Sequence, residues 1–365
     1  MKRKTLPSLF LILSFFGVSS ATDLCGMLYM PTTLSKDKSP YRITGDIYVP
    51  PASRLTIEAG VELLVAAKDS CDQDLQQLDW SDSQFVSIKV DGNFYVKGTP
   101  KNPVIIRPEK PATGKIQWDG LRIRKQDEET AVIKFLQLSG ANRGLQIDHS
   151  VFSIQNSFFV ENNTGIWLGE RANVSITNNL FSQNTSAGIY LQYSAPLVVA
   201  NIFYQNPTYA IWADSRKGIK IKSNVFFGSG EQDCWHCPLD IGKHASVNAN
   251  GDSTDQFDNI FADPAFENSL AEAKKKHLDK FVPTSENTVS DKNLQAVHNK
   301  ADSLGKAGLP PKPVFQAQGI GAWRISKYSP ALDAAPDQEK YQDANGTRGD
   351  IGPWGATMKY EIKEP

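Results

Sequence analysis

Past residue 21 this chain has no apolar run long enough to span a bilayer as a helix. It also has no surplus of positive charge. Its 365 residues carry 39 Lys+Arg against 40 Asp+Glu. Lys2-Arg3-Lys4, apolar Leu6–Val18 and small Ser19-Ser20-Ala21 read as a signal peptide over residues 1–21. Setting that segment aside leaves 36 basic residues against 40 acidic. Such a balance excludes wholesale nucleic-acid binding, which needs cations to neutralise phosphates. Cysteine is scarce: Cys25, Cys71, Cys234 and Cys237. Four thiols in an exported chain are expected to pair as disulfides, and three pairings are open. Thr22-Asp23-Leu24 before Cys25 lacks the small residues that lipid attachment favours. Helical periodicity is absent through most of the chain. At 40% hydrophobic residues, however, a disordered chain is excluded.

What is present is a repeat. Gly144-Leu145-Gln146-Ile147, Gly165-Ile166-Trp167-Leu168, Gly188-Ile189-Tyr190-Leu191 and Ala210-Ile211-Trp212-Ala213 follow one another at 21, 23 and 22 residues. Each leads to a second short apolar run and then to an Asn-x-Phe unit, at Asn156, Asn179, Asn201 and Asn224. Apolar residues alternate, which is strand periodicity, and Gly, Asn and Ser break the strands. A unit of ~22 residues without a helix is too short for a propeller blade and lacks a leucine-rich consensus. What remains is a solenoid whose strands pair in parallel with their equivalents one coil away, ~4.8 Å apart. Inward apolar residues fill the core, and stacked Asn side chains form a ladder.

On these residues the segment resembles the right-handed parallel β-helix family, the pectate-lyase-like superfamily, of the bacterial secreted type. Ile43–Val49, Leu55–Val61, Val90–Thr99 and Trp118–Ile123 are similar to opening coils, and Asp258–Pro264 to a late one. The expected fold is all-β: a right-handed single-stranded parallel β-helix. Residues 22–41 would be an N-terminal cap and 42–266 the β-helix of ~10 coils. Residues 267–317 read as a partly helical, charged excursion, with helix expected near 267–312. Residues 318–365 would cap the last coil.

Alternation turns Gln146, Trp167, Tyr190 and Trp212 outward in one column, with Arg122 one coil earlier. Three aromatics at strand spacing form a flat array suited to sugar rings, though in-register stacking also stabilises a sheet without a ligand. The next outward column reads Arg124, Asp148, Gly169, Gln192 and Asp214. Trp167, Tyr190, Trp212, Arg122, Gln146 and Gln192 are therefore the candidate substrate-binding residues, for a polysaccharide or cell-surface glycan. Asp148, Glu170 and Asp214 are candidate carboxylates for a lyase or glycosidase, the enzymes that the resemblance implies. His149 is a candidate base. Cys234-Trp235-His236-Cys237 reads as a local or loop-tethering disulfide, a partial zinc site or a redox pair. No metal site is expected. Calcium is left open by Asp343, Asn345 and Asp350, a capping turn that faintly resembles a calcium loop. Arg348-Gly349-Asp350 is too short to carry an adhesion reading. Sequons stand at Asn162, Asn173, Asn184 and Asn345. The functional expectation is non-catalytic glycan binding outside the cytoplasm, in the periplasm, on the cell surface or in the medium. A polysaccharide lyase or glycoside hydrolase, and a structural surface protein, are the alternatives.

Overall fold

A computed structural model describes residues 21–71, 85–112, 114–127, 130–248, 250–266, 323, 325, 329–336, 348 and 350–353. Nearly all regular structure in them is short strands. Each coil lays one strand on each of three faces. One coil runs Ala141–Asp148, Ser153–Gln155 and Phe158–Val160. The next runs Thr164–Leu168, Ser175–Thr177 and Leu180–Ser182. Then come Ala187–Leu191, Leu197–Val199 and Ile202–Tyr204, and after them Tyr209–Ala213, Lys220–Lys222 and Val225–Phe227. Equivalent strands pair in parallel and in register. The second face is a sheet of eight strands. The first and third faces are continuous through Tyr41–Val49, which pairs with both.

About nine rungs stand among the described residues, nine strands on the first face, where dividing the span by the repeat suggests ten. Insertions after Val65 and after Phe227 consume residues without adding a full rung. Residues 22–41 are also more than a cap. Thr22–Met27 pairs in parallel with Tyr41–Val49, and Thr32–Leu34 opens the second face, so the segment is itself the first rung. The helix expected near 267–312 lies outside the described residues, as does the signal segment up to residue 20.

The core explains why the repeat has its composition. Phe159, Phe181, Phe203, Phe226 and Phe261 stack face to face, with centroids 4.9–5.3 Å apart and planes within 12°. Beside them runs the expected asparagine ladder. The Asn201 carboxamide oxygen accepts from the backbone N–H and Nδ2 of Asn179, each within 3.0 Å. Its Nδ2 donates to the Ile176 and Val199 carbonyls and to Asn224 Oδ1. Asn224 hands on to Asn259. A second ladder, Asn162, Asn184 and Asn206, runs at the corner between third and first faces. All these asparagines are buried. The sequons at Asn162 and Asn184 are therefore structural; Asn173 is exposed, and Asn345 lies outside the described residues.

The first repeat unit needs a one-residue correction. Phe159, not Phe158, pairs with Phe181, and Ser157, not Asn156, meets Asn179. Slipping a strand by one residue reverses its faces. Phe158 accordingly points outward.

Non-glycine residues turn the corners with left-handed backbones, rare outside such sites. Asn156, Asn178, Ala200 and Ser223 link the second face to the third; Glu161, Gln183 and Gln205 the third to the first; Lys125, His149, Arg171 and Tyr193 the first to the second. Many of their N–H groups still reach the next coil, as in Asn178 to the Val199 carbonyl and His149 to the Glu170 carbonyl.

Third-face strands are apolar on both sides. Phe158, Leu180, Ile202 and Val225 form a second buried cluster with Phe266, Trp323, Ile325, Ala331, Ala335 and Ile351. Asn156 Nδ2 donates to the Pro353 carbonyl, Asn178 Nδ2 to those of Asp350 and Gly352, and the Gly352 N–H to the Ala200 carbonyl. The described tail is therefore a strap along the side of the rod, where a cap over its end was expected. The last coil is covered instead by the segment after Trp235, whose Cys237 and Ile241 pack on the main core with Phe261.

Cys25 bonds to Cys71 and Cys234 to Cys237. The first closes 46 residues of sequence around the opening rung.

Two outcomes follow from the stacking. Asn201→Ala strands several buried donors at once and is expected to cost roughly 3–5 kcal/mol in urea unfolding. Asn201→Asp should cost at least as much, because it sets an acceptor against three acceptors; near-native stability in either variant would refute the ladder's role. Replacing Cys25 and Cys71 by Ser together removes about 4 kcal/mol of loop-closure entropy. Amide exchange should then accelerate at Thr22–Met27 and Tyr41–Val49 before the central coils; uniform acceleration would contradict this.

Candidate functional site

The outward side of the first face carries large charged and aromatic side chains in register, and none of the described residues straps it. Register sets one column: Tyr48, Lys89, Arg122, Gln146, Trp167, Tyr190, Trp212 and Trp235. It divides into a charged half and an aromatic half.

In the charged half the cations are consumed internally. Lys89 is 1% exposed and bonds Asp46 at 2.9 Å, which also accepts from the Ser87 N–H and hydroxyl. Arg122, expected as a substrate contact, is buried against Asp119. Arg124 grips Asp91 with two hydrogen bonds of 3.0 and 2.9 Å, and Tyr48 donates to the same carboxylate. That pairing holds the Arg124 pKa above its ordinary value.

Arg143 marks the border. Its guanidinium lies 3.8 Å from the centre of the Trp167 ring and donates to Gln146 Oε1 at 2.8 Å. Gln146 in turn donates to Asp148. Burial, with Arg122 nearby, lowers the Arg143 pKa. Gly169, in register after Asp148, is shaped by this network: a Cβ there would meet Asp148 Oδ1 at 1.7 Å.

In the aromatic half the rings touch. Trp167 and Tyr190 have centroids 4.0 Å apart at 50°, and Tyr190 and Trp212 are 5.1 Å apart at 79°. The expected flat array is instead a tilted strip of half-buried rings. Several expected sugar-contacting polar groups are tied to it. Gln192 Oε1 accepts from Trp167 Nε1 at 3.2 Å, and the Asp214 carboxylate accepts from the Tyr190 hydroxyl at 3.0 Å. Burial, then that hydrogen bond, raise the Tyr190 pKa to about 12. Sequence reasoning missed two members. Tyr209 packs on both Trp212 and Trp235, at 5.4 and 6.1 Å. Trp235 continues the column at the same 23-residue step that separates Trp167 from Tyr190, a signal hidden by assigning it to a loop.

Asp148, Glu170 and Asp214 do not converge. Asp148 and Asp214 lie three rungs apart along one column, through Gly169 and Gln192. At 4.8 Å per rung that is about 14 Å, beyond the reach of a glycosidase pair. Glu170 registers with His149, not with Asp148, and is exposed at a corner. His149 is itself a corner residue. Among the described residues no three His, Cys, Asp or Glu side chains group closely enough to hold a metal ion. Of the calcium-like turn only Asp350 is described, and it accepts from the Asp333 N–H. Arg348 is likewise turned back onto the Ala335 carbonyl.

Two family models match consecutive stretches of the chain. One, a pectate-lyase-like β-helix domain, covers residues 26–132. The other, the right-handed β-helix region, covers 115–259. Together with the three-faced parallel stack they define the class: the chain belongs to the right-handed parallel β-helix family. No curated protein and no solved structure matches it.

The Tyr190–Asp214 contact has a pH signature. The folded pKa lies above the ordinary tyrosine value of 10, so its stabilisation is complete below pH 10 and is lost as pH rises towards 12. Alkaline titration at 295 nm should show its latest tyrosine missing in Tyr190→Phe. The variant should also lose less stability between pH 10 and 12. Identical titrations would refute the contact.

Proposed function

We propose that this is an exported protein that binds polysaccharide along the aromatic half of its first face without cleaving it. The observation that carries the proposal is the unbroken column Trp167, Tyr190, Trp212 and Trp235, bordered by Tyr209, on a face that none of the described residues straps. Saccharides present apolar C–H faces and hydroxyls, and a strip of partly exposed rings with polar neighbours complements both. Tilted rings fit a twisting chain better than a flat crystalline surface. Two disulfides are consistent with export, and among the described residues no helix is long and apolar enough to cross a membrane. Asp148 and Asp214, three rungs apart, support the non-catalytic reading over the glycosidase.

Affinity electrophoresis in gels containing xylan, mixed-linkage glucan, galactomannan or polygalacturonate tests the proposal. A Trp167→Ala/Trp212→Ala double variant and a reducing-sugar assay, with and without calcium, run alongside. Retardation of the wild type in at least one gel is expected, weakened ten-fold or more in the variant and without release of sugar ends. Turnover would favour the enzyme. Neither binding nor turnover would leave the rings as internal support for a structural protein.

A further inference from the structure

The rings of the aromatic strip are not equivalent. Trp167 is spent: Arg143 lies over it at 3.8 Å, Tyr190 packs at 4.0 Å, and its indole N–H is given to Gln192. Tyr190 sits between Trp167 and Trp212 with its hydroxyl on Asp214. Trp235 differs in exposure and in its N–H. At 37% exposure it is the most open of the column's aromatic rings, and its N–H donates to none of the described residues.

Trp235 also stands where the fold gives least support. Gln232–Trp235 is the final strand of the first face, paired on one edge only among the described residues. Every earlier ring is held between two rungs. Here the Cys234–Cys237 disulfide takes the place of the missing rung. Cys234 registers with the core residue Ile211, and Cys237, 5% exposed, belongs to the main core. The bond closes a tight ring around Trp235 and His236. His236 turns the corner with φ +53° and stacks on Trp235, centroids 4.9 Å apart and planes 24° apart. The indole is thus fixed with one face under the imidazole, which leaves its other side as the exposed stacking surface at the last rung of the strip among the described residues.

We propose that Trp235 is the principal sugar-contacting residue, stacking on a pyranose ring, and that the Cys234–Cys237 bond is its positioning element. Trp167 and Tyr190 then support the strip from within. This rests on the saccharide-binding reading of the same face and specifies which part of it makes the contact.

The test uses the full chain in the four polysaccharide gels named above. Trp235→Ala should weaken retardation ten-fold or more with its Tm close to wild type, because the ring is exposed. Trp167→Ala should lower Tm yet change affinity less than three-fold. Replacing Cys234 and Cys237 together by Ser should weaken retardation at least five-fold. It should also raise acrylamide quenching of the Trp235 signal, obtained as the difference between matched proteins with and without Trp235→Phe; a bond that only stabilises would leave that quenching unchanged. Wild-type retardation that survives Trp235→Ala but is lost in Trp167→Ala would overturn the inference while leaving the face as the binding surface. Absence of wild-type retardation in all four gels would overturn both. Quenching and retardation unchanged by the serine pair would overturn the positioning role alone.

Discussion

Everything in this molecule depends on each coil being completed by the next. A strand of three to five residues buries too little to stand alone, and its backbone groups lie along unpaired edges. Parallel, in-register stacking resolves both. Nowhere is the dependence tighter than at the buried asparagines. Asn179 has its backbone N–H and its Nδ2 on the Asn201 oxygen, and Asn201 repeats this toward Asn224. A carboxamide carries a donor and an acceptor, so it can repeat along an axis with neither left over. The same logic reaches the corners, where left-handed residues such as Asn178 and Gln183 keep their N–H groups on the neighbouring coil.

A structure stabilised by its neighbours is weakest where neighbours run out. Both ends carry a covalent bond. Cys25–Cys71 fastens the opening rung, and Cys234–Cys237 tightens the last first-face strand. The third face is closed differently, by residues from the tail packing on Leu180, Ile202 and Val225. The second face is flanked by polar side chains such as Ser175, Thr177, Lys220 and Lys222. That leaves the first face as the place where large side chains sit in register without a strap among the described residues.

On that face the polar groups are largely engaged in holding one another and the rings. Charged residues of the early rungs neutralise one another, as Lys89 with Asp46 and Arg124 with Asp91. Gln192 and Asp214, which look from their positions like sugar-binding groups, hold the tips of Trp167 and Tyr190. Toward the last rung the ring most exposed is Trp235, whose strand is paired on one edge only among the described residues.

The coil, its repeat length, its alternation and the outward column from Gln146 to Trp212 are legible in the sequence. They follow from local periodicity, which repetition makes unambiguous. The sequence also named the Asn ladder, one residue out of step in the first unit, since Asn156-Ser157-Phe158 and Ser157-Phe158-Phe159 fit the pattern almost equally well. Other features depended on contacts between distant segments, which a local pattern does not contain. The outward apolar Phe158 and Ile202 needed tail residues such as Ala331, Ala335 and Ile351 to explain them. The pairing of four cysteines, the burial of Arg122 on Asp119 and the 14 Å separating Asp148 from Asp214 were decided only by the stack. Tertiary structure likewise assigned Trp235 to the column, because membership is a matter of which strand pairs with Tyr209–Ala213. Periodicity is a property of neighbours in the chain; partners are a property of neighbours in space.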